Sequence, residues 1–296
     1  MLDFLIIGAQ KAGSTYLQQL VGDHPDLYTP HGETTFFQDP DYSPDGFEAM
    51  IAGLRAAAGT RRIGIKRPNY LAEPEVPERV KRHAPDVRLV AVLRDPRERA
   101  ISAYFHLMRS RLLPIEPIEL GLPRVLDGDY TQRWPTSPTL LGYGRYAEQI
   151  KRWREHFPPE QLLVQFHQDI KTRATEMASE AFAHLLVDGA KATPQVHRRP
   201  MAGVYSLWRQ RFNVLQRAIG RESFDEGRRT RPRANPVSAA AAATLRKFDK
   251  LVLARVFPAR PPKLSPELRD RLTDYYADDV RELAELTKRD LSAWLA

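Results

Sequence analysis

The sequence predicts an α/β fold: a three-layer arrangement with a central parallel sheet flanked by helices. Three observations carry this expectation. Short apolar runs of strand length recur at residues 4–8, 88–93 and 161–166. Two of them pass straight into loops that open helices, and the stretches between them carry helical spacing and helix stop signals. Buried strands that alternate with helices pack as a parallel sheet covered on both faces, and ligands of such sheets sit at the carboxyl ends of the strands. A chain of 296 residues can bury one large core of this kind. A single domain over 1–296 is therefore expected, without internal repeats and with 221–245 as a mobile basic, alanine-rich segment.

The first element is the most informative. Phe4, Leu5, Ile6, Ile7 and Gly8 read as a buried strand, 9–13 as a glycine-bounded loop, and Ser14 onward as an amphipathic helix. A helix start offers unpaired N–H groups and a positive dipole end, so a strand, loop and helix in this order form an anion cradle. The unit is P-loop-like, yet it departs from the nucleotide triphosphatase pattern G-x-x-x-x-G-K-[ST]. Gly8 and Gly13 match the two glycines, Ser14 stands where the lysine belongs, and the lysine has moved inside the loop to Lys11. The reach toward a β,γ-phosphate is lost. A lysine at this point lies beside the terminal group of a shorter chain, such as a 5′-phosphosulfate. The cradle residues are Lys11, Ala12, Gly13, Ser14 and Thr15.

The run 88–93 leads into Arg94, Asp95 and Pro96, where Asp95 caps a helix with proline at its first position. Ser102 follows Arg94 by eight residues, about two helical turns. An arginine fork and a serine hydroxyl suit a phosphate. Further on, Tyr146, Ile150, Trp153 and Phe157 share one face of a helix stopped by Pro158, and the strand 161–166 follows. Near the end, Ser265 and Pro266 begin a helix expected over 264–295, with Leu268, Leu272, Tyr275, Tyr276, Val280, Leu283 and Leu286 toward the core.

The two loops together resemble the 5′-phosphosulfate loop and the 3′-phosphate site of sulfotransferases that use 3′-phosphoadenosine 5′-phosphosulfate (PAPS). Gly32-Glu33-Thr34-Thr35-Phe36-Phe37 is similar to the E-x-x-F-F segment of the glycan O-sulfotransferase branch. That resemblance implies Glu33 as general base. The segment 63–70, with Lys66, Pro68 and Tyr70, resembles the same branch's strand, lysine, proline and aromatic, which puts Lys66 toward the sulfuryl group and Tyr70 toward the acceptor. The family's late basic loop over the 3′-phosphate finds its nearest counterpart at Arg198 and Arg199. Thr35 and Gln38 depart from the branch, which carries histidine and aspartate there. The acceptor-side network is thus its own, and His31 and His106 stand beside Glu33 as alternative bases or acceptor contacts.

What the resemblance implies is sulfuryl transfer from PAPS to an acceptor hydroxyl, with adenosine 3′,5′-bisphosphate as product and no metal. The acceptor class stays open among glycan, lipid and small-molecule hydroxyls. Composition sets the bounds. Without cysteine the chain has no disulfide, thiolate metal site or cysteine nucleophile. No signal peptide or membrane span is expected, and a soluble cytoplasmic enzyme is the expectation. The formal charge of +8 comes from scattered basic residues, densest at 227–233. A nucleic-acid-binding protein would explain the charge but not two phosphate loops at strand ends. A P-loop kinase would carry its lysine after the second glycine, with acidic Mg²⁺ ligands.

Overall fold

The computed structural model describes residues 1–192, 203–224, 229–232, 235–257 and 260–296. In chain order the elements are β1 (Phe4–Gly8), α1 (Ser14–Gly22), β2 (Leu27–Tyr28), α2 (Phe47–Ala58), β3 (Arg62–Lys66), α3 (Val76–His83), β4 (Arg88–Leu93) and α4 (Pro96–Arg109). There follow α5 (Ile118–Leu126), α6 (Thr139–Gly142), α7 (Tyr146–His156), β5 (Leu162–Phe166), α8 (Asp169–Thr172) and α9 (Ala174–His184). The last third holds α10 (Leu207–Gly220), β6 (Arg221–Phe224), β7 (Arg229–Pro232), α11 (Pro236–Phe248), α12 (Ala254–Val256) and α13 (Pro266–Thr287). The chain divides into two compact units, one of Met1–Arg99, Gly142–Pro200 and Leu272–Ala296, the other of Ala100–Leu141 and Met201–Arg271.

The first unit is built on a five-stranded sheet in the order β2-β3-β1-β4-β5, and every pairing in it is parallel. β1 lies in the middle and is buried along its whole length, which is why it is a continuous apolar run rather than an alternating one. On one face Phe4, Ile6, Val90 and Val92 pack with Leu17 and Leu20 of α1 and with Met177, Ala181 and Phe182 of α9. Elsewhere in the unit α7 buries Tyr146, Ile150 and Trp153, and the Trp153 indole donates to the Leu71 carbonyl at 3.2 Å.

Asp95 does cap α4, accepting from the Arg97 amide at 2.8 Å. Arg97 is itself buried and spans from Asp95 to the Ala293 and Ala296 carbonyls, at 3.0 and 2.7 Å. The C-terminal helix is shorter than expected. It ends at Thr287, and Lys288 takes a left-handed φ of 52° that turns the chain away. Leu268, Leu272, Tyr276, Val280 and Leu283 are buried as expected, but Tyr275 is 41% exposed, because only one of two adjacent helical residues can face the core.

The second unit is mostly helical. Gln210 of α10 is fully buried and donates to the Phe105 and Val204 carbonyls. Tyr104 donates to the Glu116 carbonyl at 3.2 Å. Within the span 221–245, β6 and β7 pair as an antiparallel hairpin, and Pro236 opens α11 behind the side-chain cap of Asn235. No helix among the described residues is long and apolar enough to cross a membrane.

Candidate active site at the sheet's carboxyl edge

From β1 the chain builds one side of the sheet through β2 and β3, then crosses to build the other through β4 and β5. β1 and β4 are neighbours, so the strand order reverses between them. The crevice beyond that reversal is where open parallel sheets hold ligands. The loop after β1 and the Arg94 loop after β4 both open there.

The first loop is closed by Gly13, whose φ of 114° favours glycine. A Cβ at Gly13 would also stand 2.9 Å from Ile170 Cδ1 and 3.3 Å from His167 Cδ2. The Ala9 amide ties the loop to β4 by donating to the Val92 carbonyl at 2.8 Å. Arg94 reaches across from the second loop, with Nη1 3.4 Å from the Lys11 carbonyl oxygen. Its Nε and Nη2 both meet Glu98 Oε2 at 3.0 Å. Ala12 and Ser14 are buried, and Ser14 and Thr15 start α1, where helix geometry leaves their amides without an intrahelical acceptor.

Lys66 ends β3, paired in register with Ile6 of β1. Its Nζ donates to Thr15 Oγ1 at 3.2 Å and lies 3.8 Å from Glu33 Oε1. The Lys66 side chain is only 4% exposed. Burial pushes its ammonium below the ordinary lysine range; Glu33 opposes that shift and Arg67 adds to it. Glu33, more exposed, offers Oε2 to Arg67 Nη1 at 2.6 Å, while Arg67 Nε donates to Gln38 Oε1 at 2.6 Å. Gln38, where the glycan branch carries aspartate, therefore positions the arginine that holds Glu33. Thr35, the other departure, donates to Asp41.

The Glu33 loop is fixed from below. The Thr34 amide donates to the Lys66 carbonyl at 3.0 Å. The Tyr70 hydroxyl donates to the Thr34 carbonyl at 2.6 Å and accepts from the Phe37 amide at 3.1 Å. Tyr70 is fully buried, and burial pushes its phenol above the ordinary range. It braces the loop, and its hydroxyl is committed to backbone groups rather than open to an acceptor. Gln18 of α1 donates to the Pro30 and Gly32 carbonyls at 2.8 and 3.1 Å, and His31 lies exposed between them.

The crevice thus gathers Lys11, Thr15, Glu33, Lys66 and Arg94 and adds two residues that the sequence reading passed over. Arg67 is one. The other is His167, just past β5, whose amide donates to the Leu93 carbonyl at 2.7 Å. Burial, with Arg94 nearby, pushes the His167 imidazole down to about 4. The signal that could have found His167 is its place one residue beyond a buried parallel strand, level with the other strand ends. Ser102 and His106 lie on α4 in the second unit, His106 with its Nδ1 3.2 Å from Arg109 Nη2. Arg198 and Arg199 fall outside the described residues.

A family model described as the sulfotransferase domain matches residues 2–185, a stretch that holds all five strands of the parallel sheet and both loops. The chain belongs to the sulfotransferase family. Human heparan sulfate glucosamine 3-O-sulfotransferase 3B1 is 31% identical over 160 residues, covering 54% of this chain and 39% of that relative. This family member thus spans about two fifths of that curated relative's length. In fold it is similar to the crystal structure of a sulfotransferase from Alicyclobacillus acidocaldarius, with a TM-score of 0.67, 23% identity and coverage of 100% and 99% of the two chains. It is also similar to mouse sulfotransferase SULT7A1 complexed with PAP, with a TM-score of 0.51, 14% identity and coverage of 97% and 87%.

Proposed function

We propose that this protein transfers the sulfuryl group of PAPS to an acceptor hydroxyl, leaving a sulfate ester and adenosine 3′,5′-bisphosphate. One observation carries the reading: the buried Lys66 ammonium lies between the cradle hydroxyl of Thr15, at 3.2 Å, and the Glu33 carboxylate, at 3.8 Å. A cation, a phosphate-type cradle and a carboxylate at its mouth are the three parts that transfer of an anionic group to a hydroxyl requires.

The residues present suit PAPS. The α1 amides, Lys11, Lys66 and Arg94 are all donors, as a phosphosulfate demands. PAPS supplies an activated sulfuryl group on a phosphate leaving group. In this reading Lys11, Ala12, Gly13, Ser14 and Thr15 hold the phosphosulfate, while Arg94, Ser102, Arg198 and Arg199 take the 3′-phosphate. Glu33 Oε1 accepts the acceptor's proton as that oxygen bonds to sulfur and the bond from sulfur to the bridging oxygen breaks. Lys66 and Lys11 carry the charge that gathers on the bridging and sulfuryl oxygens. Arg67 keeps Glu33 Oε2 occupied, so that a single oxygen faces the reaction. His31 and His106 belong to the acceptor side, and Tyr70 acts as brace. A glycan hydroxyl is the first acceptor class to test, by similarity to the human relative.

The test is incubation of the full chain with PAPS and a panel of amino sugars, sterols and phenols, read by mass spectrometry. Equal amounts of sulfate ester and adenosine 3′,5′-bisphosphate are expected, with Glu33→Gln reducing the yield on the order of 10²-fold or more. An undiminished yield in Glu33→Gln would remove Glu33 from the mechanism.

A further inference from the structure

Within the second unit, the amphipathicity of α10 is inverted. Trp208, Phe212, Leu215 and Ile219 recur at the spacing of one helix face. Trp208 is nevertheless 69% exposed, Leu215 is exposed as well, and Phe212 and Ile219 are only half-buried. Polar residues take the inner face instead. Arg209 donates to Asp249 through Nε and Nη2, at 3.0 and 2.9 Å, and Gln210 donates to the Phe105 and Val204 carbonyls. These inward bonds fix the helix in its orientation, so the apolar stripe points outward.

The end of α11 and the helical turns after it extend the same surface. Phe248, Leu251, Val252 and Val256 are all exposed, and the Phe212 and Phe248 rings, 5.9 Å apart, join the two stripes. Large exposed apolar patches on soluble proteins mark interaction sites. The charges beside this one are all of one sign. Arg211, Lys247, Lys250 and Arg255 are exposed next to the apolar residues, Arg211 with its guanidinium 5.4 Å from the Trp208 ring centre. Asp249, the one acid in 203–220 and 235–257, is buried against Arg209. Residues 201–271 hold 16 basic against 6 acidic residues, an excess larger than the +8 of the whole chain.

We propose that this face of α10 and α11 docks on an anionic lipid surface. Tryptophan and aliphatic side chains would enter the boundary between headgroups and acyl chains, and the flanking cations would meet the lipid phosphates. Charge complementarity selects this occupant. A second copy of the chain would bring two cationic rims together. A nucleic acid would satisfy the cations but leave Leu215, Leu251, Val252 and Val256 in water. The attachment is peripheral, since it uses helix faces that lie along the surface rather than a helix that crosses it.

The test is co-sedimentation of the full chain with vesicles of phosphatidylcholine alone and of phosphatidylcholine mixed with phosphatidylglycerol. Uptake is expected on the mixed vesicles, weakening as salt rises and at most weak on phosphatidylcholine alone. Trp208→Ser/Leu251→Ser and, separately, Lys247→Glu/Arg255→Glu should each reduce uptake roughly tenfold or more. All four positions are exposed, so circular dichroism and thermal midpoint should not change. Trp208→Phe keeps the apolar contact and should retain uptake, while quenching of tryptophan fluorescence by brominated lipid falls. Absence of uptake on mixed vesicles, or equal uptake on both kinds, would overturn the proposal. So would uptake that the serine variant leaves unchanged, the mark of a purely polyanionic contact, or a dimer in sedimentation velocity that the serine variant splits. Vesicle uptake needs neither PAPS nor an acceptor, so failure of the sulfuryl-transfer reading would leave this result standing.

Discussion

The two units gather their polar and cationic groups in opposite ways. In the first, the cradle is mainly backbone: amides of α1, a glycine with φ of 114°, and strand ends whose register sets where Lys66 and Arg94 emerge. In the second, Arg109, Arg217, Arg246 and Lys250 line one cavity with long side chains drawn from separate stretches of the chain. A backbone cradle costs little side-chain entropy and leaves its mark in glycine spacing. A side-chain site must order flexible groups and leaves only scattered basic residues, which look like a solvated surface. The difference teaches where sequence motifs can be trusted: a site made by the main chain can be read, and one made by side chains from distant elements cannot.

Breaking the first unit should therefore cost chemistry or fold, with the largest effect at the charges. Lys11→Ala is expected to lower turnover with PAPS on the order of 10²-fold or more, while circular dichroism stays unchanged. A folded Lys11→Ala protein with near-normal turnover would separate the loop from the reaction. Gly13→Val strikes the backbone itself. With φ at 114° and Ile170 2.9 Å from the new Cβ, it should cost about 2 to 3 kcal/mol in denaturant unfolding. A loss under about 0.5 kcal/mol would mean that the loop relaxes freely.

His167 sharpens the comparison through pH. Its folded value of about 4 lies below the ordinary 6.5, so between those values the unfolded chain holds more protons. The stabilisation is complete above pH 6.5 and is lost as pH falls toward 4. Full conversion of the shift gives about 3 kcal/mol, and the partial exposure of the ring screens it to about 1 to 2 kcal/mol. Urea midpoints measured from pH 7 to pH 4 should fall less steeply in His167→Gln than in wild type; parallel slopes would contradict the assignment. The smallest effect is expected at Arg67→Lys, which keeps the charge but loses the fork joining Glu33 to Gln38. Turnover should fall about tenfold with nucleotide affinity unchanged, a rise of about 1.4 kcal/mol in the barrier, checked by steady-state kinetics beside a binding titration.

What could be read in advance follows the same division. The strand, loop and helix at 4–21, the capped helix after Arg94 and the face of α7 all follow from local rules of burial and capping. Lys66 and Glu33 were found by resemblance, and the structure brings them within 3.8 Å of each other. Arg67 and His167 escaped because a lone arginine and a lone histidine carry no spacing signal; only the register of β3 and β5 makes them neighbours of the cradle. The overlong C-terminal helix has a similar origin. Apolar periodicity continues past Thr287, and the stop lies in the left-handed turn at Lys288, a residue type with no such preference. β2, two residues long, is too short for any periodicity to show.

The most direct test of the central claim is calorimetric titration of the purified protein with adenosine 3′,5′-bisphosphate, beside AMP and ATP with Mg²⁺ in the same buffer. Micromolar binding that requires the 3′-phosphate and does not respond to Mg²⁺ is expected. Preference for ATP with Mg²⁺, or binding of none of the three, would contradict that claim.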